Sequence, residues 1–464
     1  MSKKKKKQNK NAQNSSQKSH NPPKNQTKAE VKLSQVMIVK NEEKNIERAL
    51  AWGKPIAFEQ IVVDTGSTDK TVEIAEKMGA KVFHFEWIKD FSAAKNYAIE
   101  QATGDWIAFL DADEYVSSED ALKLMDVLKK VHQNHNIHNS VTILSMPMIH
   151  LNDAGDALSV YEQKRIFKNI KEIRYVGKIH EQLLAYGRIK EIDDITLMHT
   201  GYSETEHREK NKVVRNIELL REELKTNPND MMKKAYLADS LQSKLVLDDY
   251  SNEDEIAETE ALFREVIDTK DYVANFLRKK AYMHVIGELW EQKDNPEKQN
   301  ECDLLCEKAY LEFPEDLDIG YRYAVRLNRN LEFQIAWDIL KKYELQLTDG
   351  EGHIVGASAE IQADPTKIFG QLLLAAQGLG DIESTISYAS VLLTSDKTQQ
   401  NILSPYIRVL LQNNITEDEV LGLLAKIYDL SAPTDLLLIA RAAKDCGAID
   451  FAKMIVTIAG EVMG

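Results

Sequence analysis

Three carboxylates, Asp111, Asp113 and Glu114, come directly after a short apolar run, residues 106–110. The run is too short to span a membrane and predicts a buried strand that ends at the carboxylates. In an open α/β sheet, ligands bind at the carboxyl ends of the strands. Carboxylates two residues apart repel each other unless a cation lies between them, and their oxygens suit Mg²⁺ or Mn²⁺. The spacing indicates a divalent metal that holds a phosphorylated ligand, although a solvated acidic turn has the same pattern.

The composition is that of a globular protein with more than one domain. The 464 residues exceed one ordinary core, and 43% are hydrophobic. The net charge of −15 is uneven, because residues 1–30 carry nine lysines against one glutamate and predict a disordered tail. The remainder is therefore more acidic still, which argues against a nucleic-acid-binding protein. The three cysteines, the absence of a signal peptide and the absence of an 18-residue apolar run predict a cytoplasmic protein without a transmembrane segment.

Three further β-rich runs, residues 36–39, 61–63 and 80–85, precede the acidic strand and alternate with helical patterns. This alternation predicts an α/β domain. Polar side chains follow the first two runs, and a lysine lies on the helix before the acidic strand: Asn41, Glu42, Asp64 and Lys95. The chain has neither a Gly-x-Gly-x-x-Gly fingerprint nor a phosphate-binding P-loop, so hydride transfer with a dinucleotide and P-loop nucleotide hydrolysis are not supported.

Four motifs, in this order and at these distances, resemble the family 2 glycosyltransferases of GT-A fold. They are VKNEE at 39–43, VDTGSTD at 63–69, FSAAKN at 91–96 and LDADE at 110–114. The resemblance covers residues 33–205 and implies a GT-A nucleotide-diphospho-sugar transferase domain with a Rossmann-like mixed sheet. We therefore expect three regions: a tail over 1–30, the catalytic domain over 31–205, and a second domain over 206–464.

The resemblance also implies a nucleotide-sugar site. Its expected members are Lys40, Asn41, Glu42, Asp64, Lys95, Asp111, Ala112 and Asp113. Asp64 would meet the base, where a carboxylate can accept a hydrogen bond from a uracil imide. This contact and the family resemblance favour UDP, with GDP and dTDP left open. Asp111 would lie near the ribose, while Asp113 would bind the Mn²⁺ or Mg²⁺ that bridges the diphosphate. Similar enzymes usually have arginine in place of Lys95, and lysine lacks the bidentate fork of arginine.

Two later segments would complete the site. In similar enzymes a Gly-x-x-His-Glu element, here residues 177–181, lies on the acceptor side, and a His-x-Gly-Tyr element, here 199–202, closes the domain. A base is needed within hydrogen-bond reach of the acceptor, and Glu181 is our choice, with His180 as the competing one. His199 is equally compatible with a metal ligand and with a hydrogen-bonded structural histidine.

Two cations near these segments have more than one interpretation. Arg165 and Lys178 could steer a diphosphate or an anionic acceptor. A solvated face is the more common location for such residues, and we expect it here.

From residue 206 onward, β-rich runs nearly disappear and apolar residues recur at spacings of three and four. The segments 227–230 and 313–316 both place a proline and an aspartate before a helical pattern rich in Ala and Tyr. This resembles degenerate tetratricopeptide repeats, whose stacked helix pairs commonly bind peptide or protein on a concave face. A helical scaffold or a homodimerisation surface without a ligand is the alternative.

Together these features predict a metal-dependent, inverting glycosyltransferase. The donor would be a nucleotide sugar, for which the resemblance favours the UDP form, and the acceptor a protein, peptide or glycan held by the helical repeats. A rival hypothesis is a non-catalytic repeat scaffold with a vestigial sugar-nucleotide-binding domain. A haloacid-dehalogenase-like phosphatase is disfavoured, because Tyr115 stands where that motif continues with threonine or valine.

Overall fold

The computed structural model describes residues 30–132, 140–152, 154–200, 206–348, 364, 366–413 and 415–463. The predicted tail lies outside the described residues except for Glu30, and so do Gly201 and Tyr202 of the His-x-Gly-Tyr element. The chain divides into two compact units between Glu209 and Lys210. We keep 31–205 and 206–464 as the proposed limits of the two domains.

The first unit is built from strands and a few short helices. The strands are β1 Leu33–Val39, β2 Glu59–Asp64, β3 Lys81–His84, β4 Trp106–Phe109, β5 Glu114–Val116, β6 Val141–Leu151, β7 Ala157–Lys168, β8 Tyr175–Val176, β9 Gln182–Leu183, β10 Arg188–Glu191 and β11 Leu197–His199. The helices are α1 Ile46–Ala51, α2 Thr71–Lys77, α3 Phe91–Glu100 and α4 Ser118–His132. The four strands predicted from apolar runs, β1 to β4, are all present.

These strands form a mixed sheet in the order β3-β2-β1-β4-β7-β6-β11-β5, with β10 also paired to β6. Strands β1 to β4 pair with one another in parallel, whereas β7 runs antiparallel to both β4 and β6. All four residues of β4 are buried, as the apolar run predicts. The GT-A-like mixed sheet is therefore confirmed. Because β1, β2 and β4 are parallel, the polar residues that follow them lie at one edge of the sheet.

The opposite ends of these strands are held by a buried carboxylate, Glu59. It accepts hydrogen bonds from Ser34 Oγ at 2.7 Å and from the Thr103 backbone N–H at 2.6 Å. Its other oxygen lies 2.7 Å from Lys81 Nζ. Burial alone would raise the pKa of Glu59, but Lys81 and the hydrogen bonds from Thr103 and Ser34 outweigh it and lower that pKa to about 2.

We expect Glu59→Gln to lower the free energy of unfolding by about 2 kcal/mol at pH 7, because donor groups of three residues, Ser34, Lys81 and Thr103, lose their carboxylate. The folded-state pKa lies below the usual value of 4.5, so the stabilisation is complete above about pH 4.5 and is lost as the pH falls toward 2. Urea denaturation at pH 7 and at acidic pH should therefore show a difference from wild type that shrinks on acidification. Glu76→Gln on the exposed face of α2 is the control. A difference independent of pH would contradict this account.

The second unit is entirely helical in its described residues. Its helices are α5 Glu206–Thr226, α6 Met231–Leu247, α7 Glu253–Asp268, α8 Asn275–Glu291, α9 Pro296–Glu312, α10 Leu317–Arg329, α11 Phe333–Thr348, α12 Thr366–Leu379, α13 Ile382–Ser395, α14 Gln400–Gln412, α15 Glu417–Leu424, α16 Pro433–Asp445 and α17 Ile449–Met463. From α6 onward most consecutive helices pack against each other. Such nearest-neighbour packing is typical of helical repeats, and the region fits TPR-like repeats as predicted.

The segments 227–230 and 313–316 lead directly into helices α6 and α10. Asp230 accepts a hydrogen bond from the Lys233 backbone N–H at 3.1 Å, and Asp316 accepts one from Ile319 at 3.2 Å. Both aspartates are therefore N-caps, two residues after a proline. Between the helices the packing is close: a Cβ added to Gly320 would stand 1.9 Å from Tyr343 Oη, so this position requires glycine.

Within the part of the chain that the structure describes, no helix combines the length and the apolar character that crossing a bilayer requires.

Candidate active site

The loops that follow β1 and β2 are joined by hydrogen bonds. Asn41 adopts a left-handed conformation with φ 56°, which asparagine tolerates better than most residues. Its backbone N–H donates to Ser67 Oγ at 2.9 Å, and its Oδ1 accepts from the Thr68 backbone N–H at 2.8 Å. The Glu42 backbone N–H donates to Thr71 Oγ1 at 2.7 Å. The two motifs predicted to hold the nucleotide therefore form one connected wall.

Asp64 lies at the base of this wall and is almost fully buried. Its carboxylate accepts hydrogen bonds from the backbone N–H groups of Gly66, at 3.1 Å, and Ser67, at 3.0 Å. Gly66 has a φ of 105°, which only glycine adopts readily. His84 Nδ1 is 3.5 Å from the same carboxylate. The predicted contact of Asp64 with a nucleobase stays a prediction, and the observed contacts show that Asp64 also shapes its own turn.

Two other predicted nucleotide-site residues differ in exposure. Lys40 is exposed directly after β1. Ala112 is buried and packs in the apolar cluster that includes Val39 and Ile46. A ligand would therefore reach Ala112 through its backbone, whereas the ammonium of Lys40 is accessible to solvent.

Lys95 is buried between two carboxylates. Its Nζ is 2.7 Å from Glu181 Oε1 and 3.5 Å from Asp111 Oδ1. The rings of Phe109 and Tyr175 lie 5.3 and 5.0 Å from the same nitrogen, within cation–π range. Burial would lower the pKa of Lys95, but the two carboxylates outweigh it and raise that pKa above its usual range. Lys95 is thus a fixed cation that links Asp111 to the predicted base.

Helix α3 is positioned by contacts that flank Lys95. Asp90 caps the helix by accepting from the Ala93 backbone N–H at 2.9 Å. Asn96 forms two hydrogen bonds with the backbone of Tyr175, at 2.8 and 2.9 Å. These bonds attach α3 to the segment that leads to Glu181. The sequence analysis gave Asn96 no role, although it belongs to the FSAAKN motif.

Arg165 is directed into the site and not onto a solvated face, so that expectation was wrong. Its guanidinium donates to Asp111 Oδ2 at 3.2 Å and forms a shorter contact with Glu114 Oε1. Glu114, in turn, accepts from the Asp111 backbone N–H at 3.1 Å. The Arg165 side chain is only 17% exposed, because β7 runs beside β4 and faces the acidic turn. Lys178, by contrast, is exposed as expected.

The cluster changes the proton affinity of both carboxyl groups. Burial raises the pKa of Glu114 even with Arg165 beside it. Burial would do the same to Asp111, but Lys95 and Arg165 outweigh it and hold the pKa of Asp111 well below its usual range. Asp111 is therefore the carboxylate of this pair that stays ionised at all ordinary pH values.

Asp113 points to the other side of the turn and meets His199. Asp113 Oδ2 is 3.3 Å from His199 Nε2. Strand β11 brings the histidine here by pairing with β5, which places His199 opposite Glu114. The Thr200 backbone N–H closes the arrangement with a 3.1 Å hydrogen bond to the Asp113 carbonyl. Burial would lower the pKa of His199, but the hydrogen bond to Asp113 outweighs it and raises that pKa.

His150, on β6, lies behind His199. The two Nδ1 atoms are 2.8 Å apart, and the Tyr161 ring packs edge-on against the His150 ring. Burial and the neighbouring His199 lower the pKa of His150. His150 was not predicted from the sequence, because a single histidine in a strand carries no motif and only the pairing of β6 with β11 brings the rings together.

The Asp113–His199 pair fits a divalent metal. One carboxylate oxygen and one imidazole nitrogen, 3.3 Å apart, are a donor set that Mn²⁺ accepts. Among the residues described, no group of three or more His, Cys, Asp or Glu side chains is arranged to hold a metal. An ion held by Asp113 and His199 would thus keep positions for oxygens of a bound diphosphate.

The two candidates for the base differ in setting. Glu181 is largely buried and its carboxylate contacts Lys95. His180, one residue earlier, adopts a left-handed conformation with φ 50° in the turn between β8 and β9, close to Gly177 with φ 96°. The structure thus brings Glu181 into the cluster that contains Asp111, while His180 forms part of the adjoining turn.

Residues 34–168 match the family model described as Glycosyl transferase family 2. A TPR repeat-containing protein of Synechococcus elongatus is 33% identical over 228 residues, 47% of this chain and 53% of that protein. The SPbeta prophage-derived glycosyltransferase SunS of Bacillus subtilis is 32% identical over 199 residues, 42% of this chain and 45% of that protein. Among solved structures, S. aureus TarS 1–349 in complex with UDP-GlcNAc has 19% identity and a TM-score of 0.36, over 65% of this chain and 92% of that one.

Residues 34–168 therefore match the Glycosyl transferase family 2 model over the stretch that carries the four motifs, as those motifs predicted. The matched stretch spans about half the length of these two relatives.

Proposed function

We propose that the protein is a metal-dependent, inverting glycosyltransferase that takes a sugar from a UDP-sugar. The observation that carries this proposal is the arrangement at the ends of β1, β2 and β4. There the Asp113–His199 pair adjoins the cluster of Lys95, Asp111 and Glu181. The match of residues 34–168 to the family model supports the reaction class, because family 2 glycosyltransferases use a nucleotide-sugar donor. The rival hypothesis of a vestigial domain does not explain why these charged side chains keep specific contacts with one another.

In this proposal the connected loops hold the nucleoside. Lys40, Asn41 and Glu42 form one side and Asp64 meets the base, with the Ala112 backbone and Asp111 near the ribose. Asp113 and His199 would hold Mn²⁺ or Mg²⁺, which supplies Lewis-acid stabilisation of the departing diphosphate. The predicted direct contact of Lys95 with the donor is less compatible with its burial, so we assign Lys95 to the orientation of Asp111 and Glu181.

Glu181 would act as the base. Its carboxylate removes the acceptor proton while the acceptor attacks the anomeric carbon from the face opposite the leaving group, which inverts the configuration. The 2.7 Å contact with Lys95 fixes the carboxylate in one orientation, and such fixation reduces the entropic cost of reaching the reactive geometry. His180 is the alternative base.

The acceptor would be a protein, peptide or glycan, and the helical unit would recruit it or form a homodimer. Helical repeats commonly present an extended binding surface, which supports the first role. One relative is named for its TPR repeats, and another is named as a glycosyltransferase. The proposed helical repeats and the proposed catalytic domain therefore each have a counterpart in the name of a relative. Cys302, Cys306 and Cys446 are free thiols, which is compatible with a cytoplasmic location.

The test is a thermal-shift measurement with UDP, GDP, dTDP and their sugars, each with and without Mn²⁺. We expect a Mn²⁺-dependent rise in melting temperature with UDP or a UDP-sugar, because a ligand that binds the folded state stabilises it. In Asp113→Ala the Mn²⁺-dependent part should disappear, since the ion loses one of its two protein ligands. Release of UDP from the effective donor should then fall about 100-fold or more.

Asp105→Ala is the matched control, because Asp105 precedes the same strand at its other end. A shift that Asp113→Ala keeps in full would contradict the metal site. The absence of any shift in folded protein would favour the vestigial scaffold instead.

A further inference from the structure

His150 has no part in the proposed transfer, yet it contacts a proposed metal ligand. Strands β6 and β11 pair in parallel with His150 opposite His199, and their Nδ1 atoms are 2.8 Å apart. At this separation the two nitrogens share one proton, so one ring donates and the other accepts. The direction of this hydrogen bond decides which nitrogen of His199 carries a lone pair.

When a metal occupies the site, the contact of His199 with Asp113 determines that direction. His199 Nε2 faces Asp113 at 3.3 Å, and a metal at this pair would bind the lone pair of Nε2. A neutral imidazole that presents Nε2 as a lone pair carries its proton on Nδ1. This proton needs an acceptor, and His150 Nδ1 is placed to be one.

We propose that His150 is a positioning residue that accepts the Nδ1–H of His199 and thereby keeps Nε2 available to a divalent ion. This inference rests on the proposed metal site. Metal-binding histidines generally donate their second ring N–H to a protein acceptor, which fixes both tautomer and orientation. Here the acceptor is another imidazole and not the more usual carboxylate or carbonyl.

The His150 ring is itself held in place. The Tyr161 ring packs against it edge-on, with centroids 5.5 Å apart and planes at 76°, and the two rings of the histidine pair are nearly perpendicular at 77°. The ring centroids of the pair are 4.7 Å apart and the two Nδ1 atoms 2.8 Å apart, so one ring nitrogen of each histidine faces the other. Tyr161 comes from β7, paired with β6 at Met148, so the two strands fix the ring before any ligand arrives.

The experiment compares His150→Asn with His150→Leu. Asparagine places its Oδ1 where the histidine has Nδ1 and can accept the same proton, whereas leucine fills the space without an acceptor. We expect the Mn²⁺ dissociation constant, measured by electron paramagnetic resonance of the free ion, to rise about 10- to 100-fold in His150→Leu and to stay within about threefold in His150→Asn. Ser159→Ala, opposite His150 on β7, is the strand control. Equal Mn²⁺ affinity of wild type and His150→Leu would overturn the proposal.

A second measurement needs no metal and keeps a failure of the metal site distinguishable. Nitrogen-15 NMR at alkaline pH, where both rings are neutral, reports the tautomer of His199. The comparison is made in an Asp113→Ala background, because the Asp113 carboxylate 3.3 Å from Nε2 would otherwise compete for the proton. In that background we expect the Nδ1–H form with His150 or His150→Asn, and a change toward the Nε2–H form with His150→Leu. If Mn²⁺ fails to bind wild type, the proposed metal site is wrong. The tautomer of His199 then shows by itself whether His150 orients that ring. The same tautomer in all three proteins would refute it.

Discussion

Glu181→Gln is expected to lower the turnover number for sugar transfer about 1,000-fold, within the range that loss of a general base costs. Glutamine can still accept the hydrogen bond from Lys95, so the cluster keeps its shape, but it cannot take the acceptor proton. Binding of the donor should therefore change little, and the loss should appear in the turnover number and not in the dissociation constant of the donor. Release of UDP from the donor that the thermal-shift screen identifies is the measurement, with the dissociation constant of UDP alongside.

The choice of acceptor separates a base from a structural residue. Azide carries no proton, so its attack on the anomeric carbon needs no base. Glu181→Gln should therefore transfer the sugar to azide about as fast as wild type while it fails with water or an alcohol. Failure with azide as well would indicate that the variant disturbs the site.

Two variants complete the comparison. Exposed Glu172→Gln is the charge-matched control and should behave as wild type. His180→Asn tests the competing base, because asparagine accepts the left-handed backbone found there. A large loss in His180→Asn, together with a small one in Glu181→Gln, would transfer the role to His180.

The sequence predicts the fold well wherever a local pattern decides the outcome. The run before Asp111 becomes β4 because its apolar residues are buried on both faces of the mixed sheet. Asp230 and Asp316 end their loops as helix caps, which depends only on the next few residues. The ends of the elements were predicted less accurately. Strand β1 begins at Leu33, three residues before the predicted run 36–39.

The site was harder to predict, because much of it depends on pairing between distant strands. His199 reaches Asp113 only because β11 inserts between β5 and β6, and family resemblance suggested the residue without this geometry. Arg165 was expected on a solvated face, since nothing in β7 shows that an acidic turn will lie beside it. His150 was missed for the same reason. Local sequence reports burial of apolar groups, but a buried charge depends on a partner elsewhere in the chain.

Arg165 is consequently the residue whose loss should destabilise the catalytic domain most. Arg165→Met removes the guanidinium from Glu114, which is 2% exposed, and from Asp111. Removing one partner of a buried ion pair costs about 3–5 kcal/mol, because the remaining charge is left without compensation. We expect a loss of this size at pH 7 in urea denaturation followed by circular dichroism, and a loss of donor binding because Asp111 is no longer held.

The pH dependence of the stability loss in Arg165→Met distinguishes an uncompensated charge on Glu114 from a loss of packing. Burial already raises the pKa of Glu114, and without Arg165 that pKa should rise further. A group whose folded-state pKa is raised contributes stability below its unfolded pKa and loses it as the pH rises. The cost of Arg165→Met should therefore be smallest below about pH 4 and grow toward neutrality.

Two comparisons make the outcome decisive. Arg188→Met removes an exposed arginine of β10 and should change stability by no more than about 0.5 kcal/mol. Adding Glu114→Gln to Arg165→Met should restore part of the loss at pH 7, because the uncompensated charge is gone. A cost that is independent of pH and unchanged in the double variant would show that Arg165 stabilises the domain through its packing, and the proposed control of Asp111 by its charge would then fail.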